Sequence, residues 1–241
     1  MPIRSVRYQK QLELRGDGSP TLPIEEGIEK VKAFANVKSD RSYKNGRKRK
    51  RFDQTMDLVL NLGIDPKQAD QMLRGGLSLP KGTGRTRRVI AFCDETMVEA
   101  AKSAGAIEAG GAELIEKISK GWMDFDVAVS HPQMMGKVGK LGRILGPQGK
   151  MPSPKSGTVT QDVESAVREY AAGKVEYRND AGGNIHLPVG KASFPTEDLK
   201  ENIEAVVAHM MKIKPAAAKG TYIKRACLSA TSTPAVMLEV G

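Results

Sequence analysis

Two cysteines in 241 residues, Cys93 and Cys227, are too few for a disulfide framework. Each sits in an apolar run of the kind that holds a buried thiol, which fits a reducing compartment. Apolar runs are short throughout. None approaches the roughly 18 residues of a membrane span, and the N-terminal MPIRSVRYQKQLELRGDG lacks the apolar centre of a secretion signal. The expectation is a cytoplasmic chain with no membrane partner. Histidine is equally sparse: His131, His186 and His209 have no Cys or carboxylate at metal-ligand spacing. No nucleophile elbow or catalytic Cys context is present either. Asp124 and Asp126 flank Phe125 beside Trp122, where a carboxylate pair could do acid–base work, but a turn entering a buried strand explains them more simply. Neither a catalytic residue, a metal nor a cofactor is expected.

The segment LGRILGPQGKMPSPKSGTVT (141–160) resembles a phosphate loop and fails the test. A P-loop needs G-x-x-x-x-G-K-[ST], since its glycines aim backbone amides at phosphates and its hydroxyl holds magnesium. With Gly149 and Lys150 as the G-K pair, Ile144 stands at the first Gly and Met151 at the hydroxyl. The loop reads better as a stiff turn between helices, with Lys150 and Lys155 facing outward. No G-x-G-x-x-G follows a strand, which argues against a dinucleotide enzyme, and no groove-reading motif supports a DNA-binding regulator.

Positive charge is what the chain does have. Net charge is +10, and seven of those charges lie in RSYKNGRKRKR (41–51), which contains no acid. A polyanionic partner follows. A run of this kind by itself is as well explained by a solvated loop, so its neighbours decide. Phe52 comes directly after it and opens an alternating strand, and there its ring could either staple the core or lie against ribose and bases. On the residue alone, the core is the better reading.

Periodicity divides the chain by style. PIEEGIEKVKAFA (23–35) sets Ile24, Ile28, Val31 and Ala35 on one helical stripe, and FDQTMDLVLNLGI sets Met56, Leu58, Leu60 and Leu62 on one face of a strand. In the middle, RVIAFC (88–93) and FDVAVS (125–130) are apolar on both faces, with helical stretches near 96–106 and 113–118. That pattern predicts parallel βαβ winding. A helix capped by Thr160 carries Val163, Val167 and Tyr170. Alternation then returns: KVEYR and NIHLPVGKASF read as a hairpin about NDAGG. A helix capped by Thr196 follows, with Leu199, Ile203, Val206, Val207 and Met210 on its stripe, and two strands separated by a Ser/Thr/Pro turn end the chain. The expected fold class is α/β and α+β: a discontinuous helix-on-antiparallel-sheet domain from 1–82 and 174–241, with an inserted three-layer α/β domain at 83–173. The insert carries 12 basic and 11 acidic residues, so nearly all the net charge belongs to the discontinuous domain.

The run 141–160, with GWMDFDVAVSHPQMMGKVGK before it and EYRNDAGGNIHLPVGKASF after it, closely resembles the bacterial large-subunit ribosomal protein L1 family. RFDQTMDLVLNLGIDPKQADQMLRG and AKGTYIKRACLSATSTP extend the resemblance over residues 20–240. It implies a non-enzymatic part of the large ribosomal subunit, monomeric when free, with an RNA-binding domain and an inserted Rossmann-like domain. The implied partners are large-subunit ribosomal RNA at the mobile stalk, deacylated transfer RNA leaving the exit site, and the mRNA of its own operon, which it would repress.

By the same resemblance Arg51, Phe52 and Thr55 match the RNA-binding start of the first sheet strand, Asp180 the hairpin turn, and Thr231 the terminal RNA-binding turn. That turn is Thr-Met-Gly in the family and Thr231-Ser232-Thr233 here, which removes an apolar cap and a close backbone approach. Ala181 replaces a basic residue common after the hairpin Asp. The basic tract lengthens a short connection, and Arg47, Lys48, Arg49 and Lys50 are expected beside the RNA as well.

Overall fold

The computed structural model describes residues 5–16, 20–37, 52–216, 218 and 220–240. The tract 41–51, with Arg47, Lys48, Arg49, Lys50 and Arg51, lies outside the described residues. The Ser5 hydroxyl accepts the Tyr8 amide and so caps α1 (Val6–Arg15), a helix not foreseen from the sequence. Its buried Gln11 donates to the Phe34 carbonyl at 2.8 Å. A two-residue strand, β1 (Thr21–Leu22), leads into α2 (Ile24–Asn36), which has Glu25 and Glu26 at its positive N-terminal end and Ile28, Val31, Phe34 and Ala35 buried. β2 (Thr55–Leu62) alternates strictly, with Met56, Leu58, Leu60 and Leu62 inside.

The middle of the chain gives β3 (Arg74–Leu77), β4 (Val89–Phe92), α3 (Glu95–Ser103), β5 (Glu108–Gly110), α4 (Ala112–Ser119) and β6 (Val127–Ser130). Short α5 (Met135–Val138) and α6 (Gly142–Leu145) precede α7 (Val163–Ala171) and β7 (Val175–Arg178). The chain closes with β8 (Asn184–Lys191), α8 (Thr196–Lys212), β9 (Ile223–Ala230) and β10 (Val236–Leu238). The structure is thus mixed α/β, and its contacts form two units: Met1–Leu73 with Leu79–Gly84 and Arg178–Gly241, and Arg74–Ser78 with Arg85–Tyr177.

In the first unit the sheet order is β1-β10-β9-β2-β8, with β2 antiparallel to both neighbours. α2 and α8 cover the face that carries Leu58, Leu187 and Leu228, and α8 adds Leu199, Ile203, Val206 and Met210 to this core. Each such side chain stabilises the fold by roughly 1.5–3 kcal/mol. In the second unit β5, β4 and β6 form a parallel sheet. Successive residues of β4 serve opposite faces. Val89 and Ala91 pack with Ala101 of α3 and Val167 and Tyr170 of α7, whereas Ile90 and Phe92 pack with Leu114 and Ile118 of α4 and with Val138 and Leu145.

Three local expectations change. The α7 cap is Asp162, which accepts the Ser165 amide at 3.0 Å, because the Thr160 hydroxyl is occupied by the Asp162 amide. α8 begins after Pro195 with no side-chain cap, and the Thr196 hydroxyl instead accepts from Lys32 Nζ. The predicted hairpin is only a turn: β7 pairs with β3 in a separate two-stranded sheet, and a single bridge, Asn179 to Ile185, links across NDAGG. Gly75 accommodates the new partner's side chain. A Cβ there would stand 2.6 Å from the Tyr177 hydroxyl, so with glycine at 75 the Tyr177 ring can lie over β3.

Candidate nucleic-acid interface

Alternation in β2 leaves Thr55, Asp57, Val59 and Asn61 on the face away from α2 and α8. Register adds His186 opposite Val59 and Asn184 opposite Asn61 on β8, and Ser229 and Cys227 opposite Asp57 and Val59 on β9. All are at least partly exposed. At one end of this face three chain segments meet. The Thr55 carbonyl accepts the Thr231 amide at 3.0 Å, the Thr231 hydroxyl accepts the Thr55 amide at 3.3 Å, and Lys191 Nζ donates to the Thr55 hydroxyl at 2.8 Å. Lys191 was not anticipated. Its place opposite Thr55 depends on a register that no single strand reveals.

The chain entering this corner is held on both sides. Buried Gln54 donates to the Ala35 carbonyl at 3.0 Å, and the Asp53 carboxylate accepts the Ser193 amide and hydroxyl. Phe52, just before them, is 58% exposed, so the core reading of its ring does not hold. Across the corner, Thr231-Ser232-Thr233 forms a tight turn. The Thr233 hydroxyl accepts the Ala230 amide at 2.9 Å and donates to the Ala230 carbonyl at 3.1 Å. Ser232 has φ 60°, a left-handed conformation that a side chain makes costly, so Gly would be favoured at 232 rather than at 233.

Asp180 is not at this corner. It precedes Asn184, which pairs with Asn61, whereas Thr55 pairs with Lys191, six residues of β2 away or about 20 Å along the strand. There Asp180 organises its own turn, accepting the Gly182 amide at 2.8 Å and the Asn184 amide at 2.7 Å, with the Asn184 side chain on its second oxygen. The Asn184 side chain and backbone, then the Gly182 amide and His186, hold its carboxyl down at about 2. Asp57, half-buried, is pushed up by desolvation and pulled back by His186 and Lys191.

A carboxyl with a depressed folded-state pKa adds stability that is complete above its unfolded value, near 4, and is lost as pH falls towards 2. Asp180→Asn is therefore expected to be less stable than the parent at pH 7, and the gap is expected to close between pH 4 and 2. Urea midpoints across that range check this, and a gap independent of pH would show that the turn does not depend on the charge.

The side chains singled out for catalysis and phosphate binding, Asp124, Asp126 and Lys150, have partners within the protein. Arg88 pairs with both Asp124 and Asp126, and its backbone amide, donating at 3.0 Å, leads the effects that lower the Asp126 carboxyl. Lys150 does not face outward: its Nζ donates to the Met123 carbonyl at 3.1 Å and lies 5.0 Å from the centre of the Phe125 ring. Lys155 is exposed. A cavity of about 120 Å³ between Arg87, Asp126, Lys150, Thr158 and Glu176 is too small for a nucleotide. Among the described residues no group of His, Cys, Asp and Glu could hold a metal, and no helix is long and apolar enough to cross a membrane.

Residues 41–234 match the model of the Ribosomal protein L1p/L10e family. The chain is also 47% identical over 214 residues to the large ribosomal subunit protein uL1 of Nocardioides sp. (strain ATCC BAA-499 / JS614), an alignment that covers 89% of each. A family match over most of the chain and an identity this high leave no room for convergence, and the chain belongs to the Ribosomal protein L1p/L10e family, whose members are structural ribosomal proteins and not enzymes.

Proposed function

We propose that this chain is a structural constituent of the large ribosomal subunit in the bacterial cytoplasm and binds large-subunit ribosomal RNA at the mobile stalk. The observation that carries the reading is Phe52, an exposed ring directly before a corner of hydroxyls and an ammonium from Thr55, Thr231, Ser232, Thr233 and Lys191. An aromatic face beside the Ser232 hydroxyl and the Lys191 ammonium suits stacking on an unpaired base with hydrogen bonds to ribose and phosphate. Arg51 and the cations Arg47, Lys48, Arg49 and Lys50 come immediately before it in sequence and would add phosphate neutralisation. The first unit then acts as the RNA-binding domain, and the second as an inserted three-layer Rossmann-like domain. Asp180 would serve by shaping its turn, and its distance from Thr55 makes it part of a separate contact.

Within this reading the protein moves with the stalk as deacylated transfer RNA leaves the exit site, and a similar site on its own operon mRNA permits translational repression. Phe52→Ala is expected to weaken binding to a stalk fragment of ribosomal RNA by at least about fivefold while leaving an unrelated RNA nearly unaffected, since stacking on one base contributes about 1–3 kcal/mol. Equal loss on both RNAs would remove Phe52 from the specific site. Co-sedimentation of the chain with large subunits, and its absence from free fractions in salt-washed gradients, tests the reading as a whole.

A further inference from the structure

In the second unit the run GKVGKLGRIL (136–145) is a threefold repeat of glycine, cation and apolar residue. Pro132–Leu145 winds continuously through alternating 3-10 and α turns, so residues three apart lie near one another on the surface, with a drift that brings Leu145 rather than Ile144 inward. Val138 and Leu141 turn inward with Leu145 into the core against α4, whereas Ile144, the third apolar member of the repeat, is exposed. Lys137, Lys140 and Arg143 form an exposed row about 5–6 Å apart along the axis. None of them pairs with an acid among the described residues, and the sequence has no acidic residue from Val127 to Gln161.

The glycine row is what the fold does not explain. A Cβ at Gly136, Gly139 or Gly142 would meet nothing within 4 Å, and none of the three has positive φ; Gly139 and Gly142 are ordinary helical residues at φ −52° and −56°. Neither packing nor backbone conformation asks for glycine, the poorest helix former after proline. A requirement from outside the fold remains. A bare backbone row beside a cation row suits a partner that both carries negative charge and must lie close to the surface. The exposed apolar area is confined to Ile144, 36% exposed, which is too little for a membrane wedge or an apolar protein anchor. We propose that the Gly136–Arg143 ridge docks an RNA sugar–phosphate strand, its cations neutralising successive phosphates while the glycines let the ribose edge approach the helix. The proposal does not depend on the Phe52 corner.

Two variants of the whole chain separate it from a merely solvated ridge. Both are made in the parent and in a background with Arg47, Lys48, Arg49 and Lys50 changed to Ser, which removes competition from the tract. The probes are a fluorescent 20-nucleotide poly(U) and a 20-base-pair RNA duplex, titrated from 50 to 300 mM KCl. Lys137→Ser with Lys140→Ser and Arg143→Ser is expected to lower the poly(U) salt slope by about 2, near 0.7 per lost phosphate contact. Gly136→Ala with Gly139→Ala and Gly142→Ala is expected to raise Tm, as better helix formers in open space should, and yet to weaken RNA binding at least fivefold with the slope kept. The rise in Tm shows that the variant is folded. An unchanged slope in the serine variant, or undiminished RNA affinity in a stabilised alanine variant, overturns the proposal and leaves the ridge to an acidic protein or to solvent. Loss of stalk-fragment affinity in Phe52→Ala is read separately and decides only the corner.

Discussion

Replacing Asn202 with Leu is expected to destabilise the first unit by about 3 kcal/mol, even though leucine has the same branching and the site is wholly buried. The position lies on the apolar stripe of α8 between Leu199, Ile203 and Val206, where a polar side chain is out of pattern. Its amide explains it. Asn202 Nδ2 donates to the carbonyls of Val189 at 2.8 Å and Gly82 at 3.0 Å, and Oδ1 accepts the Lys81 amide at 3.1 Å. Val189 needs this bond because β8 bulges there: Met56 pairs with Gly190 and Asp57 with Pro188, so Val189 has no rung opposite it.

Leucine would leave the buried Val189 carbonyl unpaired, at about 1–3 kcal/mol, and release the Lys81 and Gly82 groups that Asn202 holds against the helix. Faster amide exchange throughout β8 and β9, with a midpoint drop of roughly 6–12 °C, is the expected result. A loss below 1 kcal/mol would mean that the strand relaxes onto another donor. Asn202→Asp provides the contrast, since it keeps the acceptor for Lys81 but places an unpaired carboxylate in the interior, and should be worse than Leu at pH 7.

Asn202 also marks where reading from sequence stops. The alternation of Met56, Leu58, Leu60 and Leu62 was legible because one face of β2 meets helices and the other does not. β4 and β6 were legible as strands buried on both faces because both of their faces are packed. Features whose cause is a distant partner were not. β3 is Arg-Gly-Gly-Leu and β5 is Glu-Ala-Gly, with no apolar pattern, and each exists because a neighbouring strand fixes it. The N-caps failed by two residues and one residue because adjacent Ser, Thr, Asp and Pro compete for the same turn, and only geometry picks the winner.

The candidate interface divides in the same way. Thr55 and Thr231 are 176 residues apart, yet their backbones and hydroxyls interlock, and it was resemblance to a family that put them on one surface. Lys191 and Asp53, which complete that corner, carry no local signal. Phe52 was misjudged from the residue alone because an aromatic at the start of an alternating strand is usually core; its side chain instead stands on the exposed side of the turn that Gln54 and Asp53 anchor. The glycine row at 136–142 was present in the sequence as a repeat, but its significance needed coordinates, since only they show that no neighbour excludes a Cβ.

Changing Arg47, Lys48, Arg49 and Lys50 together to Ser is expected to reduce RNA affinity about tenfold at 50 mM salt and to flatten its salt dependence. These cations run through Arg51 into Phe52, so whatever conformation they take, their attachment point is the exposed ring beside Thr55. If all four neutralised phosphates of single-stranded or irregular RNA, they would contribute about 2.8 to the salt slope, near 0.7 each. Between 50 and 200 mM such a slope amounts to roughly a fiftyfold change. The expected decrease is nearer 2, the equivalent of about three of the four possible phosphate contacts. Phosphate neutralisation carries no sequence information, so stalk RNA and an unrelated RNA of equal length should weaken together. Phe52→Ala should do the opposite, costing the specific complex most. If the four-serine chain keeps both its affinity at low salt and its slope, the tract is a solvated connection, and the positive charge that first pointed to a polyanion is not where the RNA is held.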